Sequence, residues 1–99
     1  MTAATGLSER ELEMIRSVLA CHEEVTGAIL FGSRAKATAA PSSDVDISLL
    51  GTNNPLVAEE IAAELEELPL PYRFDVNAFE AIRHEPLREH IQRVGVKIY

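Results

Sequence analysis

Two aspartates one residue apart, Asp44 and Asp46, stand at the head of an apolar run that continues Ile47-Ser48-Leu49-Leu50. Alternate residues of a strand point to opposite faces, so both carboxylates project one way and Val45, Ile47 and Leu49 the other. Adjacent carboxylates repel, and a cation between them relieves the cost; a divalent metal is the natural one. Ten residues separate Asp44 from the pair Gly32-Ser33, which closes another apolar run, Ala28-Ile29-Leu30-Phe31; the pattern is G-S-x10-D-x-D. The intervening Arg34-Ala35-Lys36-Ala37-Thr38-Ala39-Ala40 favours a short helix. Free backbone N–H groups and the positive end of that helix would meet at the Gly-Ser turn, a site suited to phosphate. Gly32 and Ser33 are therefore candidate phosphate binders, and Arg34 and Lys36 candidate sources of added charge. No G-x-x-x-x-G-K-[ST] pattern occurs, so a P-loop is excluded. The plainer alternative makes Gly32-Ser33 a turn, Asp44 a cap, and Arg34 and Lys36 a solvated face.

Four residues of these types at this spacing coincide at random in roughly one chain of this size in a thousand. The stretch resembles the active-site motif of the nucleotidyltransferase superfamily related to DNA polymerase beta. The short length resembles its minimal nucleotidyltransferase (MNT) branch, often encoded beside a helical HEPN-domain protein. The resemblance implies that the Gly-Ser turn holds the phosphates of a nucleoside triphosphate and that Asp44 and Asp46 hold one or two magnesium ions. A third carboxylate on the neighbouring strand completes the metal site in that superfamily. Asp75 is the only acidic residue in the strand-like run 72–79, so the resemblance assigns it that role, with help in deprotonating the incoming hydroxyl. Similar stand-alone domains act as antitoxins that move adenylyl groups from ATP onto a tyrosine of a HEPN toxin. The expected function is thus a magnesium-dependent protein adenylyltransferase with ATP as substrate and a HEPN protein as partner.

Two alternatives stay open. Relatives commonly carry Gly, a basic residue and Asp where this chain has Ala37, Ala40 and Ser42, which favours a non-catalytic subunit that binds nucleotide or masks the toxin. Transfer to a small molecule is weaker, because such enzymes usually add a helical domain to hold the acceptor.

Several elements must position these residues. Ser8 with Glu11 makes a capping box, and Leu12, Ile15 and Leu19 recur at helical spacing, predicting a helix over 9–21. A first strand is expected over 25–31, weakened by Gly27, and a second begins at Asp44 and stops at Gly51. Asn54 caps a helix with Pro55 at its first position; Val57, Ile61, Leu65 and Leu68 line one face, and Glu59, Glu60, Glu64 and Glu67 read as a solvated face. In the third strand Phe74, Val76 and Ala78 share one face, and Arg73, Asp75 and Asn77 the other. A helix from near Pro86 stopped by Gly95, and a short strand over 96–99, complete the chain. The expectation is an α/β fold with a mixed sheet of three to five strands flanked by helices.

The 99 residues, 46% of them hydrophobic, suit one domain, with 1–7 expected as a frayed leader. No apolar run reaches the length of a membrane span, and 1–6 lack the basic start and apolar core of a signal peptide, so a cytoplasmic location is expected. The single Cys21 forms no internal disulfide, in keeping with a reducing compartment, and its place predicts a small buried residue rather than a thiol catalyst. With nine basic and sixteen acidic residues the net charge is −7, which repels a phosphate backbone and argues against direct nucleic-acid binding. His84 and His90, six apart, do not share a helical face as metal ligands need. Arg83 and His90 match the R-x6-H spacing of HEPN ribonucleases, but Pro86 interrupts it. A lone domain of this size leaves one wall of its site open, which a partner chain or a second copy would close.

Overall fold

The computed structural model describes residues 7–31 and 44–99. Helix α1 (Glu9–Ala20) begins at the expected capping box: Ser8 Oγ accepts from Glu11 N–H at 3.1 Å, and Glu11 Oε1 accepts from Ser8 N–H at 3.0 Å. Its buried stripe is Leu12, Ile15 and Leu19. Cys21 caps the helix and is exposed, contrary to expectation. Two residues past Leu19 it has turned about 200° from the buried stripe, too far to share it.

Strand β1 (Gly27–Phe31) pairs antiparallel with β2 (Val45–Leu50). Gly51 then adopts a φ of 99°, which L side chains rarely adopt, and turns the chain toward helix α2 (Pro55–Glu66). Asn54 Oδ1 accepts from Leu56 N–H at 3.0 Å, and Pro55 takes the first turn, where its missing N–H costs nothing. Strand β3 (Phe74–Ala78), a 3-10 turn (Phe79–Ala81), helix α3 (Glu85–Val94) and strand β4 (Val96–Lys97) follow. The sheet order is β3-β2-β1-β4, a mixed sheet of the expected size in an α/β fold.

One face of this sheet holds the core. Val45, Ile47 and Leu49 are fully buried, as alternation requires, and they pack with Ala28, Leu30 and Phe74 under the apolar stripes of α1 and α2. Each such Val, Ile, Leu or Phe side chain contributes about 1.5–3 kcal/mol relative to exposure. Leu7, expected at the end of a frayed leader, is buried in the same cluster; residues 1–6 lie outside the described part. The acidic side of α2 is only partly a solvated face. Glu64 lies 2.9 Å from His22 Nε2, joining α2 to the segment after α1, and Glu66 accepts from Phe74 N–H. No described helix is long and apolar enough to cross a membrane.

Candidate active site

Strands β2 and β3 run parallel, and parallel neighbours need a crossover; α2 supplies it. The starts of both strands therefore lie at one end of the sheet. Register places Asp46 opposite Asp75 on β3 and opposite Phe31 on β1. Neighbouring strands lie about 4.8 Å apart, so these two carboxylates share one side of the sheet at close quarters. Asp44 sits immediately before β2 and is exposed, as is Asp75; Asp46 is half-buried. Burial first, and then the charges of Asp75 and Asp44, push the Asp46 carboxyl above the ordinary carboxylate range. All three aspartates singled out in the sequence thus come within electrostatic reach of one another.

Among the described residues no three carboxylate, imidazole or thiol groups are gathered into a finished metal cage. The two observations are compatible. Aspartates on adjacent strand positions repel across a short gap, and χ rotation lets their oxygens stand outside ligand distance while their charges still couple. Burial of the Asp46 carboxyl, beside the further charges of Asp75 and Asp44, is a cost that an oxygen-seeking divalent cation would relieve, and three carboxylates are the donor set such an ion takes. The residues fit a magnesium-type ion.

Directly behind the Asp46 and Asp75 pair, Ser48 is opposite Asn77 in the same register. Ser48 is fully buried and its hydroxyl donates to Asn77 Oδ1 at 2.6 Å. Neither residue is among those singled out by type and spacing as a candidate for the site. The available signal was a polar residue in an otherwise apolar run, two positions after Asp46 and so on its face. Gly32, Ser33, Arg34 and Lys36, together with the short helix expected after them, lie outside the described residues.

Residues 13–99 match the family described as polymerase beta, nucleotidyltransferase. The chain belongs to that family. No curated protein matches it. Among solved structures this nucleotidyltransferase is similar to a chain of the complex of tri-AMPylated Shewanella oneidensis HEPN toxin with MNT antitoxin: TM-score 0.72, 17% identity, covering 94% of this chain and 72% of that one. It is similar also to a chain of a toxin-antitoxin structure with AMP-PNP, at TM-score 0.73 and 19% identity over 94% of this chain and 73% of that one. A chain of the MntA-HepT toxin-antitoxin structure gives TM-score 0.71 and 16% identity over 93% and 72%. At these identities the likeness establishes the nucleotidyltransferase fold, in agreement with the mixed sheet and its parallel β2 and β3.

Proposed function

We propose that this nucleotidyltransferase moves AMP from ATP onto a tyrosine of a HEPN-domain toxin and so acts as its antitoxin in the cytoplasm. The observation that carries the reading is the parallel register of Asp46 with Asp75, with Asp44 beside them, in a fold shared with chains of MNT and HEPN complexes. One of those complexes contains an AMPylated toxin, and a further similar toxin-antitoxin structure holds AMP-PNP, which supports ATP as the substrate.

Asp44, Asp46 and Asp75 would hold one or two magnesium ions. Bound there, such ions supply Lewis acidity and charge neutralisation for phosphoryl chemistry. Asp75, exposed on the outermost strand, takes the proton of the acceptor hydroxyl. The tyrosine oxygen forms a bond to the α-phosphorus, the bond from that phosphorus to the α,β-bridging oxygen breaks, and pyrophosphate leaves. Ser33 and Gly32 bind the triphosphate, with charge added by Arg34 or Lys36. Phe31, after which Gly32 comes in sequence, is the register partner of Asp46, in keeping with a phosphate turn near the carboxylates.

A second reading, a binding subunit that masks the toxin without chemistry, draws on Ala37, Ala40 and Ser42 in the segment next to the phosphate turn. One experiment separates the two. Purified chain, HEPN partner, ATP and magnesium are incubated and the partner is weighed by mass spectrometry. A gain of AMP on a tyrosine, absent with the Asp44→Asn, Asp46→Asn double variant, is expected. No gain, with toxin neutralisation intact in the double variant, leaves masking as the function.

A further inference from the structure

The two edges of the sheet are treated differently by the sequence. Strand β4 has two residues and carries Lys97, and shortness and lysine both blunt an edge against added strands. Strand β3 has five residues, FDVNA, with neither lysine nor proline. Its outward groups follow from the register. Val45 N–H donates to Arg73 C=O at 2.8 Å while Val45 lies opposite Phe74, so the parallel ladder to β2 uses the backbone of Arg73, Asp75 and Asn77. Phe74, Val76 and Ala78 turn their N–H and C=O groups the other way. Glu66 reaches across from α2 and accepts from Phe74 N–H at 2.8 Å. Among the described residues nothing accepts from the N–H of Val76 or Ala78.

Beside this open edge lies an apolar groove of about 230 Å³, between the first turns of α2 and the 3-10 turn. Pro55, Ala58, Val76, Ala78 and Ile82 line it, with Glu59 on its rim. Leu56, next to the groove, is 67% exposed. Open backbone donors alternating with a slot for side chains are the two requirements for adding a strand to a sheet.

Charge decides the occupant. Glu59, Glu66 and Asp75 border this edge; Arg73 precedes the strand, Arg88 is held at the far end of the groove by the carbonyls of Phe79 and Ile82, and the whole chain carries −7. A second copy would bring the same carboxylates against themselves, and like charges opposite one another are destabilising. We propose that the open edge of β3 binds, as an added strand, an extended segment of another protein whose apolar residues enter the groove while alternate lysines or arginines face the Asp75 side. The docking does not depend on nucleotide transfer. An added strand there runs about 4.8 Å from β3 and passes along the rim of the candidate active site.

The test is a titration of the ¹⁵N-labelled chain with a short, end-blocked synthetic peptide of alternating lysine and valine. The amide signals of Val76 and Ala78 are expected to shift and their hydrogen exchange to slow by about tenfold or more, with β4 amides unmoved. The counterpart of alternating glutamate and valine should leave them unchanged. Val76→Pro removes an edge N–H without touching the ladder to β2 and should abolish the response. Should that variant fail to fold, a lysine-valine peptide N-methylated at alternate residues, which cannot add as a strand, should lose binding to the native chain. The proposal is overturned by no response to the basic peptide, by an equal response to the acidic or N-methylated one, or by Val76 and Ala78 amides already protected in a concentration-dependent way in the free chain.

Discussion

Ser48 Oγ donates to Asn77 Oδ1 at 2.6 Å, one step along the same face from the Asp46 and Asp75 pair. The bond joins β2 to β3 from side chain to side chain, and Ser48 is fully buried. It locks the register that brings two repelling carboxylates opposite each other. A slip of one residue would carry Asp75 to the core face.

Removing that bond should therefore be costly for a surface-sized change. Ser48→Ala leaves a carbonyl oxygen of Asn77 without its donor, and a loss of about 1–2 kcal/mol is expected. For a domain of this size that lowers Tm by about 4–16 °C. Asn77→Ala should cost a similar amount, and the double variant should cost less than the sum. Additive losses in thermal unfolding would show that the two side chains act independently.

The acidic pair carries a penalty in the metal-free fold. Because the Asp46 carboxyl is raised, the folded chain keeps a proton where the unfolded chain has lost it. Its contribution to stability is thus greatest in acid and falls as pH rises from the unfolded value of about 3.9 through the higher folded value. Asp46→Asn removes a half-buried charge that faces two others and should be more stable than the native chain at pH 7 without metal, the like-charge part alone contributing about 0.2–1 kcal/mol. The advantage should shrink in acid, and magnesium should raise the Tm of the native chain alone. A variant that is less stable at neutral pH without metal contradicts this account.

Asp75 and the Asp44 and Asp46 pair should separate in kinetics. Asp75→Asn removes the proposed proton acceptor and should slow adenylyl transfer about a hundredfold or more. Calorimetry should still register magnesium-ATP binding to this variant. Loss of binding without a separate effect on turnover would assign Asp75 to binding alone.

Gly51 offers a test of the scaffold away from the carboxylates. A Cβ added there would lie 2.5 Å from Glu24 C=O and 2.7 Å from Thr26 Oγ1, at a φ of 99°. Gly51→Ala should cost about 1–3 kcal/mol in urea unfolding. Magnesium-ATP affinity of the folded variant should be unchanged, since Gly51 ends β2 at the opposite end from Asp46.

Much of the local structure was legible because its causes are local. The capping box at Ser8 and Glu11, the Asn54-Pro55 start of α2 and the stop at Gly51 each depend on residues within a few positions of one another. Alternation put Asp44 and Asp46 on the face away from Val45, Ile47 and Leu49. Cys21 departs from the buried position usual for a Cys at the end of an amphipathic helix, because its own angle from Leu19 carries it to the surface. Of Glu59, Glu60, Glu64 and Glu67, expected on a solvated face, Glu64 meets His22, a partner that periodicity does not reveal.

By itself, then, the sequence determined the helices, the strands, the buried face of each, and the spacing of the Gly32-Ser33 and Asp44-Asp46 pairs, since all of these follow from neighbours along the chain. Only the tertiary structure decided that β3 lies parallel to β2 with Asp75 opposite Asp46, that Ser48 meets Asn77, and that β3 rather than β4 is the long open edge. Those relationships are set by α2 packing across the sheet as a crossover, and strand register answers to that distant packing rather than to local spacing.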